Sequence, residues 1–398
     1  MRLLIIGHTA HYQRGNRIVG WGPTVKEIDW LAKAFDSVVH LAFLHSGTAP
    51  RSALPYQSDN IRFIGLPPSG GVTAFSKFKA LALAPRYSSA ILKLRQQADI
   101  IHIRTPGVLG LYGLLCISLH KSPLRWTKFA GNWGEPSTMP FSFRLQREWL
   151  TRGLSRGPVT INGRWQGQPD FVFSFLNPCM TIMDVIQARQ EATDKNLTSP
   201  LRVVFAGRLE ANKQPLAAIQ IVNLVSRETP VRLDLIGDGP QRQQCHQLIE
   251  KLNLGNQVFV HGWLEQEEVR ELLRQAHFVL LPSLSEGLPK IILEGMAFGA
   301  VPIASHVSAI PQLLQECQCG EAIPASDILT FAERIVSLSR DAALWKSMSQ
   351  AGLHAAPRFT YEKYLLDLEQ MFNQYYRLSP MNAAMLRSLQ EQYQAISG

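Results

Sequence analysis

Two glutamates, two basic residues and a glycine–proline turn hold the chemistry that can be read from this 398-residue chain. Residues 278–305 read FVLLPSLSEGLPKIILEGMAFGAVPIAS. The pattern predicts a strand, a tight loop, a helix and a second strand. Gly287 permits a close backbone approach or a positive φ. Pro289 falls near the first helical turn, where its missing N–H costs nothing. The free N–H groups of that turn suit phosphate. Glu286 lies in the loop and Glu294 in the helix. At about 100° per residue they sit within roughly 80° of each other in azimuth, if both are helical. That spacing alone is weak, because two glutamates fall at it often by chance.

Upstream, residues 203–213 read VVFAGRLEANK and place Gly207, Arg208 and Lys213 just past a strand end. Arginine offers a forked donor for phosphate and lysine a compact cation. Preorganised cations stabilise the charge that develops on a diphosphate leaving group. Taken alone, the two also read as a surface cation pair.

These residues need a frame, and the sequence predicts one. Strands are expected at 2–7, 38–44, 61–66, 100–104, 124–130 and 158–162. Helical spacing fills 24–35, with Val25, Ile28, Leu31, Ala32 and Phe35 on one face, and 108–119. A helical stretch at 75–97 is broken near Pro85. Residues 190–200 (QEATDKNLTSP) are polar and aperiodic, the best linker candidate. The alternation then restarts, with strands at 201–206, 231–236, 257–261, 278–282 and 301–305 and helices between them. Helices follow at 361–376 and 382–396. Alternating strands and helices imply parallel sheets. The fold expected is α/β, with two Rossmann-like doubly wound domains facing across a cleft. The division expected is 1–192, 193–375 and a helical tail at 376–398. Ligands of such sheets sit outside the strand carboxyl ends.

Composition sets the remaining bounds. An apolar content of 46% fits large cores. The five cysteines have no zinc-ligand spacing, and their odd number argues against a disulfide framework. The apolar run at the start is short for a signal peptide, and residues 108–119 are too few to span a bilayer. A cytoplasmic location follows as the expectation. The net charge is +9, yet residues 1–195 carry 23 Lys+Arg against 11 Asp+Glu, and the remainder 17 against 20. A basic first half suits phosphorylated substrates or anionic lipid, or is a solubilising surplus. The stretch Phe75, Lys77, Phe78, Lys79, Leu81 suggests a surface that rests on anionic membrane, or a solvated helix face.

The segment at 278–305 closely resembles the hallmark of retaining GT-B glycosyltransferases of family 4, the glycosyl transferases group 1. Ser283, Glu286, Gly287, Leu288, Pro289, Leu293, Glu294, Met296, Ala297, Gly299 and Pro302 match it. The resemblance implies a GT-B architecture and transfer of a hexosyl unit from a nucleotide-diphosphate sugar, UDP or GDP, with retention of configuration. A glycan or lipid-linked acceptor in polysaccharide biosynthesis is implied, with no metal and no further cofactor. In that family the glutamate matched by Glu294 binds the donor ribose. The one matched by Glu286 sits by the transferred sugar, near the backbone N–H groups of Gly287 and Leu288. Those matched by Arg208 and Lys213 hold the diphosphate. The turn 236–240 resembles the family's strand-end glycine turn. Residues 258–263 resemble the strand beside the base, where the backbone of Trp263 and Leu264 would meet the base edge. His261 there also reads as a structural histidine.

The resemblance covers 201–376 well and the first half by pattern. Gly22 stands where the family has a glycine loop near the donor phosphates. Many members place a histidine after a central strand, where this chain has Asn132, Trp133 and Glu135. Asn132 would donate to a sugar hydroxyl, Trp133 stack on a sugar ring and Glu135 bind acceptor, or all three are structural. Arg104 would meet an anionic acceptor, and His8, His11 and His102 stand near strand ends. A non-catalytic glycan- or nucleotide-binding relative and a nucleotide-sugar epimerase are the competing functions.

Overall fold

The computed structural model describes residues 1–71, 73–135 and 139–397. The chain divides into two compact units. The first comprises Met1–Leu176 and Tyr364–Glu391, the second Asn177–Lys363 and Gln392–Gly398. The break therefore falls at 176/177 rather than 192/193, and much of the expected tail belongs to the first unit. The reason is local. The first part of the expected linker completes a helix, Ile182–Ala192, opened by a reciprocal capping box between Thr181 and Asp184.

Among the described residues, the first unit holds a nine-stranded sheet. Its strands are β1 (Arg2–Arg14), β2 (Arg17–Trp21), β3 (Ser37–His45), β4 (Ala53–Pro55), β5 (Ile61–Leu66), β6 (Ile100–Thr105), β7 (Leu124–Phe129), β8 (Val159–Ile161) and β9 (Val172–Ser174). The strands β5, β3, β1, β6, β7, β8 and β9 run parallel in that order. β1 extends well past the expected end because its far half turns at Gly15 (φ 57°) and pairs antiparallel with β2. Edge strand β4 then pairs with β2.

One face of this sheet packs under helix Gly22–Ala32 and the returning helix Tyr361–Tyr376. There Leu3, Ile5, Ile28, Leu31, Trp126, Leu365, Leu368 and Phe372 form one buried cluster. The opposite face packs Ile6, Tyr87, Ile91, Leu109, Leu114, Ile117 and Leu150 from the other helices.

In the second unit β10 (Leu201–Ala206), β11 (Val231–Ile236), β12 (Val258–Gly262), β13 (Phe278–Leu281), β14 (Val301–Ser305) and β15 (Glu321–Ile323) form a parallel sheet. The strand order is β12-β11-β10-β13-β14-β15. Order reverses between β10 and β13, so the loops after these two strands diverge around a crevice, the place where doubly wound sheets bind ligands. No helix among the described residues is long and apolar enough to cross a membrane.

Candidate active site

The loop after β10 begins with Gly207 and Arg208 and ends in a 3-10 turn, Ala211–Lys213. Gln214 is left-handed, at φ 52°, and opens the helix Pro215–Val225. Leu209 is fully buried and pins the loop, while the Arg208 side chain stays 61% exposed. Its Nε donates to Glu210 at 3.0 Å. A neighbouring turn braces the loop from β11. Leu209 N–H donates to Asp238 O at 3.0 Å, and Gln241 N–H donates to Leu209 O at 2.9 Å. Gly237, at φ +129°, packs so closely that an added Cβ would lie 1.9 Å from Gly207 O. The glycine turn expected at 236–240 thus fixes the backbone that presents Arg208.

The loop after β13 is anchored by buried Ser283 and Leu288. It is stitched to the first loop by Asn212. Leu284 N–H donates to Asn212 O at 2.8 Å, and Asn212 Nδ2 donates to Ser285 O at 3.0 Å. Between these two stitches Lys213 Nζ donates to both oxygens of Glu286, at 2.5 and 2.6 Å. The Glu286 side chain is only 7% exposed and that of Lys213 22%.

Gly287 follows, and Pro289 is the N-cap of the helix Lys290–Ala297, with no capping bond from its own side chain. Leu288 O accepts from Asn177 Nδ2 at 3.4 Å. Gly295 lets the helix lie directly on β13, since a Cβ there would come 2.4 Å from Val279 Cγ2. Glu294 is half-buried on this helix. Burial, with the Glu294 carboxylate beside it, holds the Cys179 thiol well above the ordinary range. Lys195 anchors the other end. Its ammonium donates to Phe298 O at 2.5 Å, Ala276 O at 2.8 Å and Leu273 O at 3.0 Å, tying down the carboxyl ends of two helices.

Trp263 and Leu264 follow β12, two strands from β10, and both are half-buried. Gly237 N–H donates to Gly262 O at 2.8 Å, so the ends of β10, β11 and β12 are laced in a row. His261 is bonded to Asp234 through Nε2 at 2.8 Å, and Arg232 forks onto the same carboxylate. A network inside the sheet therefore holds this histidine. Beyond it a shallow cavity of about 550 Å³ is lined by His261, Leu264, Glu267, Glu268, Glu271, Leu272 and Arg274.

In the first unit the placements differ more from expectation. Trp133 is 2% exposed and packs edge-on against Phe129, a core side chain rather than a stacking platform. Asn132 is buried. Its Oδ1 accepts from Gly134 N–H at 3.2 Å and its Nδ2 reaches Glu135 at 3.4 Å, so its carboxamide closes its own loop. Gly22 is the first residue of its helix, and a Cβ there would lie 2.7 Å from Ser52 O. Close packing against the edge strand region is thus sufficient reason for a glycine. Arg104 is not free for an anion. It pairs with buried Glu27 at 2.7 Å, as Lys128 does at 2.9 Å.

His11 and His102 are fully buried. His11 bonds Tyr56, and His102 stacks on Trp126 at 3.7 Å. His8 is exposed beside Gly107.

A set of lysine, arginine, two glutamates and an uncapped helix start around one switch point fits a bound diphosphate ester. The comparisons with known proteins agree on the domain. Residues 188–354 match the family model described as Glycosyl transferases group 1. The second unit carries a glycosyl transferases group 1 domain. Within that domain lie Arg208, Lys213, Glu286 and Glu294.

Among similar sequences, the amylovoran biosynthesis glycosyltransferase AmsK of Erwinia amylovora is 30% identical over 154 residues, 37% of this chain and 38% of AmsK. The chain spans well under half the length of the curated relatives first matched. Solved structures extend the likeness beyond the domain. A sucrose-phosphate synthase from Thermosynechococcus elongatus aligns with a TM-score of 0.70 at 18% identity, over 94% of this chain and 98% of that one. Anabaena Alr3699/HepE, solved in complex with UDP, aligns with a TM-score of 0.66 at 16% identity, over 94% and 100%. The fold is the two-domain α/β GT-B fold expected from the sequence.

Asn212, Asn177 and Lys195 are positioning residues outside the set expected from the sequence. Asn212 stands inside the motif between Arg208 and Lys213, where a polar residue in a tight turn is a usable signal. The other two act through tertiary contacts that carry no local pattern.

Proposed function

We propose that this chain is a glycosyltransferase that moves a hexosyl unit from a nucleotide-diphosphate sugar to a glycan or lipid-linked acceptor, with retention of configuration, in polysaccharide biosynthesis. The observation that carries this reading is the convergence of Lys213 and Glu286 at the β10/β13 switch point, next to the uncapped start of the Glu294 helix. In this reading Arg208 and Lys213 take the diphosphate and stabilise its charge as the sugar leaves. The N–H groups around Gly287 and Leu288 meet the sugar, Glu286 orients it and Glu294 binds the ribose. The backbone of Trp263 and Leu264 meets the base.

The donor is the substrate, and no metal or further cofactor is invoked. AmsK, named for amylovoran biosynthesis, and HepE, solved with UDP, lend support to the acceptor class and to a uridine donor.

The test is incubation with a panel of UDP-, GDP- and ADP-sugars. A thermal shift with one base and slow release of its nucleoside diphosphate are expected. Donor binding without any turnover, with or without acceptor, would favour a non-catalytic binder. The closed Asn132 loop is the observation that keeps that second reading in play.

A contact with anionic membrane belongs to the same proposal. Helix Ala74–Ala82 exposes Phe75, Phe78 and Leu81 at 76%, 69% and 69%. Lys77 and Lys79 interleave them. Apolar side chains ringed by lysine suit the headgroup region of an anionic bilayer. Co-sedimentation with phosphatidylglycerol vesicles, lost in a Phe75→Ser, Phe78→Ser double variant, is the expected result. Equal pelleting with neutral and anionic vesicles would argue against it.

A further inference from the structure

The ammonium of Lys195 joins the two ends of the segment that carries Glu286 and Glu294. The helix Gln266–Gln275 runs out at Ala276, and β13 starts two residues later. Past the loop with Glu286, the helix Lys290–Ala297 runs out at Phe298. Lys195 Nζ donates to Ala276 O at 2.8 Å and to Phe298 O at 2.5 Å, so one nitrogen bonds both the entry and the exit of this strand–loop–helix unit. Its third proton goes to Leu273 O at 3.0 Å. The lysine is itself braced from the helix Ala342–Ala355. Lys346 Nζ donates to Lys195 O at 2.7 Å and to Thr193 O at 3.0 Å, and Ser349 Oγ donates to Gly299 O at 2.7 Å.

We propose that Lys195 is a positioning residue for the donor site, a clasp that holds the Glu286–Glu294 unit in shape and whose proton is linked to donor binding. This rests on the donor site proposed above. Three carbonyls accept three protons, and only the ammonium has three to give. The neutral amine has two, so its formation leaves one carbonyl of the clasp unbonded. Loss of the cation also removes a favourable charge from the carboxyl end of the helix whose amino end would meet the diphosphate. The coupling is reciprocal: where the protonated clasp tightens the site, a bound donor raises the proton affinity of Lys195.

Burial brings the Lys195 ammonium down to about 7, so the clasp changes its proton count near neutral pH. Among the described residues no carboxylate pairs with it. The charged and titratable groups on the elements around it are His277, Arg202, Lys346 and Arg274. Arg274 is paired with Glu191 at 2.6 Å. Burial, with Lys195 and Arg202 nearby, brings His277 to about 4, so it stays neutral over the range in question. In the unfolded chain the lysine keeps its proton to its ordinary value of 10.5. The unfolded state therefore binds more protons above pH 7, and this group adds stability as pH rises. Donor affinity and chain stability move in opposite directions, which a merely structural contact does not produce.

The test compares the full wild-type chain with Lys195→Met. Without ligand, amide hydrogen exchange at pH 6.5 should be several-fold faster in the variant across residues 283–298, and unchanged across 231–262. With UDP as probe, calorimetry from pH 6 to 8.5 should show wild-type affinity falling about fivefold or more, while urea stability does not fall. Wild type should also take up more protons on binding UDP at pH 7 than Lys195→Met, whose affinity should be weaker at pH 6 and flatter with pH. Equal exchange in the two chains, or the same UDP pH profile in both, would overturn the proposal. No binding of UDP, GDP or ADP to wild type would overturn the donor reading and the linkage with it, and the exchange result alone then decides the clasp. Should Lys195→Met unfold, the opposite pH trends of affinity and stability in wild type decide the matter.

Discussion

The Lys213 ammonium holds both carboxylate oxygens of Glu286, at 2.5 and 2.6 Å, and so ties the loop after β10 to the loop after β13. Removing one member of a nearly buried pair leaves the other charge uncompensated, at a cost of about 3–5 kcal/mol when burial is complete. Lys213 keeps some exposure. Lys213→Ala is therefore expected to lose stability at or below the low end of that range in urea unfolding. Lys213→Ala with Glu286→Gln should recover part of it. Strict additivity of the two changes would show that the pair is not coupled.

Arg208 and Glu294 separate function from folding. The Arg208 side chain is 61% exposed and pairs only at the surface with Glu210, a contact worth at most about 1 kcal/mol. Arg208→Ala and Glu294→Gln are expected to leave the thermal midpoint nearly unchanged and to lower transfer by about 100-fold or more. Unchanged donor turnover in both variants would sink the donor-site assignment.

Gly237→Ala should act on Arg208 without touching it. The new Cβ would meet Gly207 O at 1.9 Å, at a φ of +129° that a side chain rarely adopts. Weaker donor binding and lower stability are expected together. Gly255→Ala, which meets nothing within 4 Å, is the control and should change neither.

Acid should unfold the chain early. Burial, opposed by bonds to the Thr9 and Phe43 backbone, brings His11 down to about 4 from an ordinary value near 6.5. Burial, with Lys195 and Arg202 nearby, brings His277 to about 4 as well. Burial, with neighbouring charge, holds His40 and His102 well below 6.5. For each, the unfolded chain binds its proton first as pH falls. The stabilisation is complete above about pH 6.5 and is lost on descent toward pH 4. Unfolding free energies at pH 8, 6.5, 5.5 and 4.5 check this. His102→Phe should flatten the acid limb while keeping the stack on Trp126, because among the described residues Nε2 of His102 has no hydrogen-bond partner and its Nδ1 makes only a 3.4 Å contact with Trp126 O. An acid limb as steep as wild type in that variant would rule His102 out as a contributor.

Glu27 neutralises two cations, and Tyr364 Oη stands 3.5 Å from its Oε1. Glu27→Ala would leave Arg104 and Lys128 buried beside each other. A loss of about 3–5 kcal/mol is expected, with a smaller loss for Glu27→Gln. Urea unfolding of both variants measures the difference.

The sequence was most legible where the signal is local. The 203–213 and 278–305 segments predicted strand, loop and helix, and the structure has β10, β13, β14 and the helix Lys290–Ala297 in those places. A tight turn and a helix start are written in adjacent residues. Trp133 shows where such reading fails. A tryptophan after a strand looks the same on paper whether it faces solvent or packs on Phe129. Arg104 fails for the same reason, since its partner Glu27 lies 77 positions away. The extension of β1 was hidden because its far half is held by pairing with β2 and, past a register shift, with β3, not by its own apolar pattern.

The return of the chain at Tyr364 sets an order of events during synthesis. The helix Tyr361–Tyr376 supplies Leu365, Leu368, Met371 and Phe372 to the core beneath the first sheet. Those residues leave the ribosome only after residues 177–363 have been made. The amino-terminal half must therefore wait with an apolar face uncovered while the second unit is still emerging. Domains that fold as they are made ordinarily finish from the amino end; here the first unit to begin closes only after most of the second has been made.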